Sequence, residues 1–146
     1  MVEYRKLSLK YRFVLRFPYF FYNKLTARLY GEKLIQITTI GRVSKKDRKT
    51  LLEVVGKIDD TPVVISAFGE NSDWVLNLRK NPEAEVLWTK HSYISNVEWL
   101  SENEAQAVLS DYKKENPKLV KLYETLFKRS WVEFSKLPVC MFPGLK

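Results

Sequence analysis

The sequence predicts a mainly β protein with flanking helices, an α+β domain built on a small six-stranded antiparallel barrel. Three observations predict it. Six short apolar or alternating runs are separated by turn signals. Helical patterns fall between them too rarely to make a parallel βαβ repeat. The 146 residues fit one ordinary domain with a core that needs no disulfide or metal.

The elements follow in order. Residues 4–30 mix aromatics with regularly spaced Lys and Arg, and apolar residues recur at helical spacing (Tyr11, Val14, Leu15, then Phe20, Phe21, Leu25). Pro18 breaks that run near Phe17, so two short helices or one bent helix are expected. We divide the chain into this basic helical extension, 1–30, and a body, 31–146. In the body, the Ile- and Thr-rich run 33–40 reads as a strand, 41–48 as a polar loop and 49–58 as a second strand. DDTP at 59–62 is a turn, and the nearly all-apolar 62–68 is a central strand. A short helix over 73–81 follows, with Asp73 as its N-cap, and Asn81-Pro82 ends it.

Residues 83–91 and 92–100 read as paired strands. The second alternates, with Tyr93, Ser95, Val97 and Trp99 on one face. Ser101 with Glu104 is a capping box opening a helix to Asn116, where Pro117 interrupts. Leu119, Leu122, Tyr123, Leu126 and Phe127 stripe the next helix, and 137–142 closes as a short strand.

Composition narrows the function. One cysteine, Cys140, excludes an internal disulfide and any zinc knuckle, and reads as an inert buried thiol. One histidine, His91, disfavours His-rich metal sites and a Ser-His-Asp triad; it reads as a surface residue. No run of 18 apolar residues spans a membrane, and charges interrupt the apolar start, so a cytoplasmic protein without a signal peptide is expected. The formal charge is +8, of which residues 1–30 carry +6. A basic protein attracts nucleic acid, an acidic membrane face or a phosphorylated small molecule. No recognition helix or RNA signature accompanies the charge, so nucleic acid is not expected. The basic, aromatic segment 1–30 either lies on an anionic membrane or packs its aromatic face on the domain.

The most informative stretch is GRVSKKDRKT, 41–50. It joins two strands. Gly41 permits an unusual backbone in which N–H groups converge on an anion. Arg42 and Arg48 offer forked hydrogen bonds to phosphate, Ser44 and Thr50 offer hydroxyls, and Lys45, Lys46 and Lys49 add charge. The bland alternative is a solvated hairpin. SAFGENSDW, 66–74, is a second candidate, where a buried strand runs into a helix N-terminus. Glu53, between Leu52 and Val54, reads as simply outward-facing. The four tryptophans read first as core or interface residues. No nucleophile with its own base is evident, so an enzyme here relies on a cofactor.

Two patterns carry a resemblance: Thr38-Thr39-x-Gly41-Arg42-x-Ser44-x-x-x-Arg48, and Trp74-x-x-Asn77-Leu78-x-x-Asn81-Pro82. Together, and in this order around VVISAFG at 63–69, they resemble the deazaflavin-dependent nitroreductase and quinone reductase family of the FMN-binding split-barrel superfamily, over roughly 30–142. The resemblance implies a split barrel and coenzyme F420, a phosphorylated deazaflavin with a polyglutamate tail. It implies a phosphate and tail clamp at Arg42, Ser44, Arg48, Lys45 and Lys49. It places the ring along Thr50, Leu51 and Leu52, and its polar edge or phosphate at Ser66, Ala67, Phe68 and Gly69. Trp74 and Asn77 would line or support the pocket. The implied reaction is hydride transfer to a small acceptor, a quinone or nitro compound, with Tyr123, Tyr19 or Tyr22 as candidate proton donor. Alternatives are an FMN-binding flavoprotein, or a non-enzymatic cofactor carrier or membrane-surface protein.

The chain departs from the family pattern in places. Val43 stands where many relatives carry Lys, Thr50-Leu51 where many have Asn-Pro, and Phe68 where Lys or Asn is common. Relatives that reduce nitroaromatics place tyrosines near the equivalents of 116–122, where this chain has Asn116, Leu119 and Leu122. Split barrels often dimerise, and an exposed aromatic strand face at Trp88 and Trp99 would suit a homodimer.

Overall fold

The computed structural model describes residue 27 and residues 31–144. The helices expected within 4–30 therefore lie outside the described residues, apart from Ala27, which is helical and buried. A 3-10 turn, Gly31–Lys33, leads into β1 (Leu34–Ile40), β2 (Asp47–Ile58) and β3 (Thr61–Ile65). Helix α1 (Asp73–Lys80) precedes β4 (Glu83–Trp88), β5 (His91–Asn96) and β6 (Glu98–Trp99). Helices α2 (Glu102–Glu115) and α3 (Pro117–Phe127), a 3-10 segment (Trp131–Lys136) and β7 (Val139–Met141) complete the chain.

Seven strands form one antiparallel sheet in the order β5-β4-β1-β2-β3-β7-β6. Its two ends, β5 and β6, are separated in sequence by Val97 alone. They are the single alternating strand expected over 92–100, bent in the middle. Its first half pairs with β4 and its second half with β7, which curls the sheet into a barrel. The expected six strands and the observed seven differ by that bend. At the bend Val97 N–H donates to Pro82 O at 2.9 Å. A second bend lies in β2, where the register shifts between Val54 and Gly56. A bulge of this kind bends the strand locally and increases its twist.

Alternation along the strands divides the core in two. Ile35, Ile37, Val64, Val86, Cys140 and Phe142 fill the barrel interior, with Trp74, Val75 and Leu78 of α1 packed in. Val55, Val63 and Val139 face the other way, onto Ala105, Val108, Leu109 and Tyr112 of α2 and onto Trp131 and Phe134. Each such fully buried aliphatic stabilises by about 1.5–3 kcal/mol. Residues 105, 108, 109 and 112 recur at helical spacing, which is why this stretch forms an amphipathic helix. The expected capping box is present, with both Ser101–Glu104 bonds formed.

Four local expectations are corrected. The N-cap of α1 is Ser72, and Asp73 is the first helical residue. β3 stops at Ile65, because Ser66–Gly69 closes its own turn through Gly69 N–H to Ser66 O at 3.0 Å. On α3 the buried residues are Phe127, as expected, and Val120, outside the expected stripe, whereas Leu122 is 54% exposed. Trp88 is buried, its indole N–H donating to Glu32 O at 3.1 Å, so it offers no exposed face to a second copy.

At Gly56 an added Cβ would lie 2.6 Å from Val108 Cγ1, inside contact distance. Gly56→Ala is therefore expected to destabilise the fold by about 1–3 kcal/mol. Adding Val108→Ala should recover part of that loss, and denaturant melts of both singles and the double would show the non-additivity.

Candidate functional site

The 41–48 hairpin is closed by Gly41 N–H to Lys46 O at 2.8 Å and Lys45 N–H to Gly41 O at 2.9 Å. Gly41 is required sterically: a Cβ there would collide with Ser44 Oγ and lie 3.2 Å from Lys46 O. The left-handed residue of the turn is Lys45, φ 61°, not Gly41. The expected convergence of backbone N–H groups on an anion is not built. Gly41 and Lys45 donate within the turn, Lys46 N–H to Ser44 Oγ at 3.2 Å, and Arg42 N–H to Asn77 Oδ1 at 3.1 Å. An anion at this hairpin would have to be met by side chains.

Arg42 is turned toward α1. Its Nη1 donates to Asn77 Oδ1 at 3.0 Å and its Nη2 pairs with Asp73 Oδ1 at 3.1 Å. Asn77, 3% exposed, donates from Nδ2 to Thr39 Oγ1 at 3.2 Å. The two sequence patterns are thus one physical unit: Thr39, Asn77, Arg42 and Asp73 fasten the hairpin to α1. Arg42, expected as a phosphate clamp, is a fastening residue in this geometry.

That leaves Lys45, Lys46, Arg48 and Lys49, all exposed. Arg48 Nη2 donates to Ser44 Oγ at 3.3 Å and Lys45 Nζ to Arg42 O at 3.3 Å. None of the four pairs with a carboxylate among the described residues. Exposed cations of this kind attract anionic groups.

The alternation of β2 extends from Lys49, the last of these cations, along one face. Leu52 and Val54 pack into the barrel, whereas Val55 packs outward against α2. Lys49, Leu51 and Glu53 therefore share the outer face, spanning roughly 13 Å at strand rise. Thr50, Leu51 and Leu52 are all partly exposed, and only Leu51 of the three lies on this outer face.

At the far end of that face, Glu53 accepts hydrogen bonds from two tyrosines: Tyr112 OH to Oε1 and Tyr123 OH to Oε2. Both rings stack on Trp131, at centroid distances of 5.6 and 6.1 Å. Glu53 is not the merely outward-facing residue expected from its neighbours. Tyr123, expected as a proton donor, has its one O–H committed to Glu53. Burial first, then the Glu53 carboxylate, holds both hydroxyls well above the ordinary tyrosine range. A signal for this cluster exists in the sequence: the face carrying Leu51, Glu53 and Val55 must meet helices, and Tyr112 sits on the buried stripe of α2.

The 66–74 stretch is internally satisfied. Ser66, 2% exposed, donates from Oγ to Gly69 O at 2.7 Å and lies 2.8 Å from Ser72 Oγ. Ala67 and Phe68 pack on the outer core, Phe68 against Phe127 with ring centroids 5.0 Å apart. Gly69 is buried. Trp74 packs in the barrel interior, stacked on Trp99, which in turn carries Arg79 3.8 Å from its ring centroid. Cys140 is fully buried, and burial pushes its thiol up, as expected of an inert residue. Among the described residues no cluster of metal-ligating side chains occurs. No described helix is long and apolar enough to cross a membrane.

The raised tyrosines set an alkaline limit. Burial pushes Tyr93 up to about 12, with Tyr112 and Tyr123 raised further. Above about pH 10 the unfolded chain releases these protons while the fold retains them, so stability falls as pH rises beyond 10. Denaturant midpoints measured from pH 8 to 11.5 should drop steeply above 10, and less steeply in Tyr112→Phe/Tyr123→Phe.

The fold brings a cationic hairpin, an apolar strand position and an acid–hydroxyl cluster onto one antiparallel barrel. The family model for F420H(2)-dependent quinone reductase matches residues 11–129, and the chain belongs to that family. It is therefore an oxidoreductase working with the deazaflavin coenzyme F420. Among solved structures, an F420-H2 dependent reductase, FDR-A, is similar at 19% identity and a TM-score of 0.57, over 77% of this chain and 96% of that one. A pyridoxamine 5'-phosphate oxidase-related, FMN-binding protein of Nostoc punctiforme is similar at 11% identity and a TM-score of 0.54, over 82% and 76%. A NimC/NimA family protein of Clostridium acetobutylicum is similar at 15% identity and a TM-score of 0.51, over 78% and 73%. At these identities the likeness is one of fold, and it bears out the split barrel. No curated protein matches the chain.

Proposed function

We propose that this protein reduces a quinone with reduced F420 bound along the outer face of β2. The observation that carries the reading is the order of groups there. Lys49, next to the hairpin cations Lys45, Lys46 and Arg48, comes first, Leu51 next, and the Glu53–Tyr123 pair last. Phosphate and polyglutamate are held at the cationic end, mainly by Arg48 and Lys49. Leu51 supplies an apolar surface for the ring, and Thr39, Asn77 and Arg42 keep the hairpin in place for the tail. When bound, the reduced deazaflavin supplies the hydride. The chain's own contribution is orientation, exclusion of water and a proton. A quinone is preferred to a nitro compound as acceptor because the family whose model matches is described as a quinone reductase. The charge and aromatic content of 1–30 suit contact with an anionic membrane that holds the quinone. Single-turnover mixing of reduced F420-loaded protein with a water-soluble naphthoquinone tests the reading. F420 absorbance should return in step with quinone loss; persistence of the reduced cofactor would contradict it.

A further inference from the structure

We propose that residues 1–26 of this same chain cover the outer face of β1, β4 and β5. Helices α2 and α3 pack over the other half of the barrel, against Val55 of β2, Val63 of β3 and Val139 of β7. The outward residues of β1, β4 and β5 belong to neither buried cluster.

That half is not built as a solvated face. Alternation turns Ile35, Ile37, Ala84 and Val86 inward, and Leu34, Ile40, Leu87 and Ile94 outward. Ile94 is 59% exposed, and the register sets it beside Glu85. Glu83 lies on the same face as Glu85, and none of the outward residues of the three strands is a cation. A sheet face carrying four large aliphatics and two carboxylates marks an interaction surface, and one that suits a basic, apolar partner.

Tether, reach and chemistry name the occupant. The chain enters β1 through Gly31–Lys33, directly before Leu34. Ala27, just upstream, is helical and 0% exposed, so burial begins before the strand does. Wound as a helix, 26 residues would span about 39 Å. The face is about 23 Å long, from the seven residues of β1, and about 10 Å across three strands. Residues 1–26 hold eight of the chain's sixteen Phe and Tyr side chains, and residues 1–30 carry a charge of +6. The aromatics match the aliphatics of the face, and part of the charge matches Glu83 and Glu85. The remaining cations stay outward, open to an anionic surface. A second copy or a lipid bilayer would have to displace a segment held there at a roughly millimolar effective concentration.

The test uses the full chain without lipid. Amides in 10–26 should exchange hydrogen at least about tenfold more slowly than those of a synthetic peptide of residues 1–26. Glu85→Lys with Ile94→Lys, both at exposed positions, should return them toward the peptide rate. Leu122→Lys, on the exposed side of α3, should leave them protected. Zero-length carbodiimide coupling of the wild-type monomer should join Glu83 or Glu85 to Lys6, Lys10 or Lys24, and this decides the matter if the double variant fails to fold. Peptide-like exchange in the wild type would overturn the proposal, as would protection that the double variant leaves untouched. So would coupling of those lysines only to carboxylates of α2 and α3, or only between copies. Protection that appears only when phosphatidylglycerol vesicles are added would make the bilayer the occupant and overturn it equally.

Discussion

Replacing Asn77 with alanine is expected to cost about 3 kcal/mol of stability and to lower Tm by about 10 °C. Asn77 is 3% exposed and makes three bonds: it accepts from Arg42 N–H and Nη1 and donates to Thr39 Oγ1. Truncation strands the fully buried Thr39 hydroxyl and an Arg42 backbone N–H, and each unsatisfied group costs about 1–3 kcal/mol. The comparison variant is Asp73→Ala. It removes a salt bridge whose carboxylate side chain is 76% exposed, which is worth about 0–1 kcal/mol. Thermal melts of the two should differ several-fold in effect. Equal, small effects would mean that the hairpin is not fastened through Asn77.

The second large effect concerns the cofactor. Arg48→Ala with Lys49→Ala should weaken F420 binding about 100-fold, at roughly tenfold for each charge-assisted hydrogen bond removed. Wild-type affinity should fall as salt rises, because these cations are exposed and screened, and the double variant should show a shallower dependence. Arg42→Ala should act differently. Its guanidinium is held by Asp73 and Asn77, so its removal should lower stability as well as affinity. A double variant that binds F420 as tightly as wild type would remove the hairpin from the site.

Much of this architecture is legible in the residues. The Ile/Thr alternation of 34–40, the apolar 61–65 and the Ser101–Glu104 box each specify their element locally. The bend at Val97 is not legible, because the alternation runs through it without a break. It becomes visible only when the strand's two halves find different partners. The hairpin's chemical role is readable from its charge. The redirection of Arg42 is not, since the partners Asp73 and Asn77 lie 31 and 35 residues away. Glu53 is hidden for a similar reason. Local context makes a carboxylate in a strand look solvated, and the tyrosines that hold it arrive from 59 and 70 residues further on. Trp88 shows the opposite error: a barrel interior closes over a residue that an open sheet would expose.

The measurement that bears most directly on the account is a fluorescence titration of oxidised F420 into the wild-type protein, repeated with excess FMN. Micromolar or tighter binding that FMN does not displace is the predicted result. FMN binding at the expense of F420, or binding of neither, would contradict it.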